Sequence, residues 1–232
     1  MSPTQFAISL PHGAGVPLAA SEAERLGFDY VSSGEHLAFH GPPSNSLISL
    51  SAAAGATSRI GLLSAVTLVP LYPAAVLAKL VASLDAVSAG RFHLGVGVGG
   101  ENPVEFEAAG VPVAERGARM DESLDLLHRL LGSDEVTFRG RYTTTSSLSI
   151  SPRPFGTRVP VWVAGRKPVA MRRPARWGDV WMPYMFTPER VAESIVMVDR
   201  YAIEQTGSPW GGRVAVHLFI TVDDDPARAA GR

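Results

Sequence analysis

A helix and a strand follow each other directly in residues 73–100, PAAVLAKLVASLDAVSAGRFHLGVGVGG. Pro73 suits the first turn of a helix, and Gly90 suits its end. Between them, apolar residues at helical spacing form a stripe on one face: Val76, Leu80, Leu84 and Val87. The run over 92–98 is almost continuously apolar, as expected of a parallel strand covered on both faces. The stretch therefore predicts one unit of an α/β fold with a parallel sheet.

Similar apolar runs recur along the chain and predict seven strands. They span residues 6–10, 28–32, 60–69, 92–98, 159–164, 179–182 and 214–222. Helical patterns lie between them, most clearly over 115–131 and 188–205. This alternation is typical of a closed eight-stranded barrel or of an open doubly wound sheet, and spacing alone does not choose between them. Residues 134–158 break the rhythm and are expected to form an inserted hairpin or loop in a single domain over 1–232.

The composition predicts a globular protein that acts on a small molecule. Its 232 residues are 46% hydrophobic, enough for one sizeable core. With 21 basic and 22 acidic residues there is no net field to hold nucleic acid or an anionic membrane. Cysteine is absent, which excludes disulfides and thiolate sites. Neither a signal peptide nor an apolar run of roughly 18 residues is found, so a cytoplasmic location is expected.

The residues that follow the predicted strands are the candidates for chemistry, because ligands of parallel α/β folds bind beyond the carboxyl ends of the strands. Ser33-Gly34-Glu35-His36 follows the second strand. His36 could pass protons near neutral pH there, although a surface-loop histidine is an equal alternative. His40 lies four residues further on, but no HExxH pattern and no third ligand accompany it, so no metal is expected.

A glycine run, Gly95 to Gly100, follows the fourth strand and formally matches GxGxxG. Asn102-Pro103 is expected to prevent the immediate helix that a dinucleotide fingerprint requires. The glycines instead allow a flat ligand to approach the backbone closely, and Glu101 is a possible acid beside it. The alternative is tight backbone packing inside a barrel.

Small residues and cations follow the fifth strand, in Ala164-Gly165-Arg166-Lys167. Because a helix is expected to begin directly afterwards, this stretch is a plausible phosphate site. Arg172, Arg173 and Arg176 continue the basic character along that helix, where they either contribute to the ligand site or form a solvated face.

Taken in order, these motifs resemble the luciferase-like monooxygenase family, many of whose members use the deazaflavin coenzyme F420. The resemblance spans nearly the whole chain. It is carried by residues 23–29, 33–36, 77–91, 95–100, 106–112, 115–119, 138–142, 152–154 and 176–179. It implies a TIM-type (β/α)8 barrel with the cofactor ring at the carboxyl ends of the strands. Since a complete barrel takes ~250 residues and only seven strands are predicted, the last βα unit is expected to be missing.

The resemblance also assigns roles to individual residues. It implies His36 and Glu101 as the catalytic residues that supply the proton. It implies a non-proline cis peptide at Ala65-Val66, behind the cofactor ring. The full set of implied cofactor-binding residues is Glu35, Ala65, Val66, Val98, Gly99, Ala164, Gly165 and Arg166, the last three near the phosphate.

The function implied is an oxidoreductase that transfers hydride between coenzyme F420 and a small organic substrate. One alternative is an FMN-dependent monooxygenase supplied with reduced flavin by a partner reductase. A second is a non-catalytic flavin-binding protein with a truncated barrel, and a third is a barrel enzyme without flavin that holds a phosphorylated metabolite through Arg166 and Lys167. An open barrel leaves strand edges unpaired, so a homodimer is expected.

Overall fold

The computed structural model describes residues 3–41, 43–225 and 228, which form ten strands and seven α-helices. In chain order the strands are β1 (Ala7–Ser9), β2 (Tyr30–Ser33), β3 (Gly61–Ser64), β4 (Thr67–Leu68), β5 (Phe92–Gly97), β6 (Val136–Arg139), β7 (Thr144–Leu148), β8 (Val161–Ala164), β9 (Val180–Met182) and β10 (Arg213–Val214). The helices are α1 (Val16–Leu26), α2 (Ser46–Ala56), α3 (Ala74–Val87), α4 (Pro103–Ala108), α5 (Arg116–Gly132), α6 (Pro168–Trp177) and α7 (Pro188–Thr206).

The main sheet is parallel, and its strands lie side by side in the order in which they occur in the chain. The order is β1-β2-β3-β5-β8-β9-β10, with β4 continuing alongside β5. A doubly wound sheet would reverse its strand order at a switch point, and this sheet does not. It curls into a half-barrel of seven strands, so the prediction of a TIM-type barrel is confirmed.

Two layers of side chains pack against the sheet, because successive strand residues point to opposite faces. On the outer face, Leu94 and Val96 of β5 join the large core under the helices. On the inner face, Tyr30, Leu63 and Trp162 fill the barrel together with Val180 and Met182. The carboxyl ends of all these strands point to one end of the barrel. Among the described residues, no helix is long and apolar enough to cross a membrane.

The seventh predicted strand forms only in part. Residues 214–222 were expected to be a strand, but β10 has two residues and is followed by a single bridge between Tyr184 and His217. The prediction is wrong beyond that bridge because β9 has ended, and within the described chain no strand pairs with the other edge of β10. Phe219 and Ile220 are 81% and 82% exposed as a result. The acidic residues 223–225 ahead of Pro226 also predict the start of a helix, and that helix would lie largely outside the described residues.

A small antiparallel hairpin, β6–β7, occupies part of the insertion at 134–158. Its turn is fixed to α5 by one carboxylate. Glu122 accepts hydrogen bonds from the backbone N–H groups of Arg141, Tyr142 and Thr143, at 2.6–3.1 Å. The hairpin is therefore held against the helix that precedes it.

Candidate functional site

The path of the chain between β3 and β4 shapes the carboxyl end of the sheet. Leu63 pairs with His93, and Thr67 pairs with Val96. The chain therefore advances four residues from β3 to β4 while β5 advances three. The extra residue makes a bulge, a feature common beside active sites. Ser64 spans it: its hydroxyl lies 2.8 Å from the N–H of Gly95 and 2.9 Å from the Gly95 carbonyl. The peptide Ala65-Val66 within the bulge is cis, which confirms that prediction.

The glycines of β5 make room for this bulge. A Cβ on Gly95 would lie 1.8 Å from the carbonyl oxygen of Ser64, and one on Gly97 would lie 2.5 Å from Cγ2 of Val66. A Cβ on Gly99 would meet nothing closer than 3.3 Å, but its φ of +61° favours glycine. Tight packing therefore accounts for Gly95 and Gly97, while Val98 and Gly99 are half-buried.

Glu35 is buried and faces the helices rather than the open end of the barrel. Its Oε1 accepts the Leu68 N–H at 2.9 Å. Its Oε2 accepts hydrogen bonds from the Asn45 side chain, the Ser46 N–H and hydroxyl, and the Tyr72 hydroxyl. Burial and then the charge of Glu35 raise the pKa of Tyr72. Glu35 thus ties the start of α2 to β4, and its predicted contact with a cofactor stays a prediction.

His36, next along the chain, contacts an acid that the sequence analysis missed. Its Nδ1 lies 3.1 and 3.2 Å from the two carboxylate oxygens of Glu105, which is in α4 and fully buried. Glu105 Oε1 also accepts the backbone N–H groups of Leu37 at 2.6 Å and Ala38 at 3.1 Å. The imidazole stacks on Phe39, with ring centroids 4.2 Å apart. His36 itself is half-buried, with 24% of its side chain exposed.

Glu101 lies exposed in the loop between β5 and α4. The helix that Asn102-Pro103 was expected to prevent does form, so that prediction is wrong. Asn102 caps α4 by accepting the Val104 N–H at 3.2 Å, and Pro103 occupies the first turn. Asparagine is a preferred helix cap. Proline is favoured in the first turn because the backbone N–H that it lacks would have no partner within the helix there. This helix is what brings Glu105 to His36.

Arg166 lies in the loop after β8, at the carboxyl end of that strand. Gly165 has a φ of +148°, and a Cβ there would lie 2.5 Å from Cβ of Ala170. The half-buried guanidinium of Arg166 lies over the ring of Tyr184, at 4.3 Å. Arg173 points elsewhere: it is buried and paired with Asp121 at 2.6 Å, so neither sequence interpretation fits it. Arg172 and Arg176 are exposed and lie over aromatic rings.

Most of the predicted site residues share one property, which is partial exposure at the end of a buried strand. His36, the Ala65-Val66 bulge, Val98-Gly99 and Ala164 to Arg166 are all half-buried. A Cβ on Gly34 would lie 2.9 Å from the Ala65 carbonyl oxygen, so the loop that carries His36 touches the bulge. Small side chains, accessible backbone and the Arg166 cation fit a planar ring with an anionic tail.

Comparisons with known proteins agree with this geometry. The family model for luciferase-like monooxygenases matches residues 14–231. An F420-dependent glucose-6-phosphate dehydrogenase from Intrasporangium calvum is 38% identical over 168 residues, 68% of this chain and 49% of that enzyme. The pyrimidine monooxygenase RutA from Escherichia coli is 29% identical over 184 residues, 76% of this chain and 50% of that protein. A solved F420-dependent secondary alcohol dehydrogenase, in complex with an F420-acetone adduct, superimposes with a TM-score of 0.85 at 26% identity, covering 97% of this chain and 72% of that one.

Proposed function

The chain belongs to the luciferase-like monooxygenase family, an oxidoreductase family, and from this premise we propose that it is an F420-dependent oxidoreductase acting on a small organic substrate. The observation that carries the proposal is the position of His36. It stands half-buried at the carboxyl end of β2, held by Glu105, in a loop that touches the Ala65-Val66 bulge. A proton carrier beside open backbone suits a site where a planar cofactor and a substrate meet.

In this proposal, separate groups of residues bind the cofactor ring, bind its anionic tail and move the proton. Ala65, Val66, Val98 and Gly99 offer backbone and small side chains to the cofactor ring, and Ala164, Gly165 and Arg166 hold its anionic tail. The bound deazaflavin would supply the hydride chemistry. His36 holds or moves the proton at Nε2, because Nδ1 is engaged by Glu105. Glu101, exposed in the next loop, is the second candidate for that proton.

F420 is favoured over FMN by the likeness to the glucose-6-phosphate dehydrogenase and to the secondary alcohol dehydrogenase. The alternative, an FMN-dependent monooxygenase with a partner reductase, is favoured by the likeness to RutA. A homodimer that covers the exposed edge beyond β10 remains part of the proposal. The chain spans about half the length of those two sequence relatives.

The first test is a fluorescence titration of the protein with F420 and with FMN. We expect F420 to bind more tightly, and Arg166→Gln to weaken it about tenfold or more by removing a charge-assisted hydrogen bond. Arg172→Gln is the matched control, since Arg172 is an exposed cation of α6 stacked on Tyr201. Preference for FMN would support the monooxygenase, and binding of neither cofactor would refute both.

Turnover then tests the role of His36. Glucose 6-phosphate and 2-propanol are the first substrates to try with F420, given the relatives named above. We expect His36→Asn to lower kcat by roughly 10²–10⁴-fold, the usual contribution of a general acid or base, with little change in the Kd of F420. If His36→Asn keeps the kcat of the wild type and Glu101→Gln loses most of it, Glu101 would be the residue that supplies the proton. Cofactor binding with no turnover on any substrate would support the non-catalytic alternative.

A further inference from the structure

We propose that the protein has a second small-molecule site, at the amino end of the barrel, which binds an organic anion with an apolar body, such as an aromatic carboxylate. A cavity of about 370 Å³ lies there between α5 and α6. It is separated from Ala164 by the length of β8, roughly 10 Å. The inference concerns a place away from the cofactor site and does not depend on the proposed function.

The cavity is bounded by the starts of two strands and the ends of two helices. Val161 begins β8, and Asp179 directly precedes β9, so the sheet contributes its amino end. Gly132 is the last residue of α5, and Trp177 is the last residue of α6. Because the predicted cofactor residues follow the carboxyl ends of the strands, a ligand in this cavity would leave them accessible.

The floor of the cavity consists of core side chains. Leu124, Leu127 and Leu131 of α5 line it together with Leu94 and Val159, and all five residues are buried. Water that touches these side chains finds no hydrogen-bond partner among them, so its displacement by an apolar ring is favourable. An apolar floor with a few polar groups around it is the usual form of a small-molecule pocket.

The rim of the cavity carries a surplus of basic side chains. His128, Arg158 and Arg176 line it. Asp179 is the one acidic side chain among the described lining residues, and it is already matched by an ion pair with Arg158 and a backbone N–H at 2.8 Å. Arg176 lies over the ring of Trp177, at 4.4 Å, and has no carboxylate partner in the described part of the chain. Positive charge beside an apolar floor favours a ligand with an anionic group.

Two fluorescent probes with the same aromatic body test the apolar and the charged part of the site separately. Anilinonaphthalene sulfonate carries one negative charge, whereas phenylnaphthylamine lacks the sulfonate and is neutral. Trp177 and Trp210 line the cavity, so energy transfer from tryptophan to either probe reports binding. We expect both probes to bind, the sulfonate more tightly, and naphthoate, an aromatic carboxylate, to displace them.

Variants of the rim and of the wall should separate the two contributions. Arg176→Gln should weaken the sulfonate about three- to fivefold and leave phenylnaphthylamine unchanged. Arg172→Gln is the matched control, an exposed cation of the same helix that lies over Tyr201. Gly132→Phe should weaken both probes by about tenfold or more, because Gly132 is exposed in the cavity wall with no atom within 4 Å of an added Cβ. Gly55→Phe, equally open but in α2, is its control.

Equal binding of the sulfonate to the wild type, Arg176→Gln and Gly132→Phe would overturn the proposal. The exposed apolar segment 216–222 is the competing place for an aromatic probe, and Phe219 in it is 81% exposed. Binding that is lost in Phe219→Ser but kept in Gly132→Phe would place the probe on that segment and refute the cavity site. Displacement of the probe by F420 or FMN would place it in the cofactor site, with the same consequence. If neither cofactor binds, the proposed function fails, but the probe titrations still decide this inference.

Discussion

Replacing Gly95 by alanine tests the contact that places the Ala65-Val66 bulge. The new Cβ would lie 1.8 Å from the Ser64 carbonyl oxygen and 3.0 Å from its carbon, and these are backbone atoms that no rotamer change can move. β3 and β5 would have to separate, which breaks the two hydrogen bonds between Ser64 and Gly95. Overpacking costs about 1–3 kcal/mol and each hydrogen bond about 1 kcal/mol, so we expect a loss of about 3–5 kcal/mol in the free energy of unfolding.

Urea unfolding followed by circular dichroism measures this loss. Two other glycine-to-alanine variants serve as comparisons for Gly95→Ala. Gly97→Ala faces only the side chain of Val66, which can shift, so its loss should be smaller. Gly55→Ala lies in α2 with open space around it and should stabilise by about 0.5–1 kcal/mol. If Gly95→Ala unfolds within about 1 kcal/mol of the wild type, the reasoning that β5 needs glycine to seat the bulge is refuted.

Two further predictions concern other parts of the barrel. Burial, aided by the charge of Arg213, lowers the pKa of His93 to about 4, and the Trp162 indole donates to its Nδ1. Because the unfolded state then binds the proton more tightly than the folded state, the free energy of unfolding should be highest above about pH 6.5 and fall by up to about 3 kcal/mol toward pH 4. The urea midpoint should fall less over this pH range in His93→Gln than in the wild type. An equal fall in both proteins would contradict the lowered pKa of His93. In the second, Arg173→Met removes the ion pair between the buried Arg173 and Asp121, whose side chain is 46% exposed, and should cost about 1–2 kcal/mol by the same assay, whereas the exposed Arg172→Met should stay within about 0.5 kcal/mol.

The barrel could be predicted from the sequence because each βα unit has a recognisable pattern of apolar residues within its own segment. A run such as 92–98 is apolar on both faces, and the helix before it carries an apolar stripe that ends at Gly90. The closure of the sheet is different, since it depends on pairing between distant residues. Residues 214–222 have the composition of a strand, yet only Arg213 and Val214 pair fully, because β9 is too short to extend the ladder. Composition indicates that a segment favours a strand, but it does not show whether a neighbouring strand is there to pair with it.

The glycine run shows how one sequence signal can hold two roles. GVGVGG matches a nucleotide fingerprint in form, but alternate residues of a strand point to opposite faces. Gly95 and Gly97 therefore both face the inside of the barrel, against Ser64 and Val66, whereas Gly99 and Gly100 lie past the end of the strand. The role of the first two depends on a bulge more than twenty residues earlier in the chain, so no local motif could have revealed it.

The acid beside His36 was missed for a related reason. Glu35 is its neighbour in the chain, but adjacent residues at the end of a strand leave it in different directions, and Glu35 turns toward Ser46 and Leu68. Glu105 is 69 positions away and reaches His36 because α4 starts at Pro103, which places this acid in the first helical turn. The cap Asn102 and the proline were visible in the sequence and were interpreted as blocking a helix. Taken instead as a helix start, they place an acid in the first turn of a helix at the carboxyl end of β5, the same end of the sheet at which His36 follows β2.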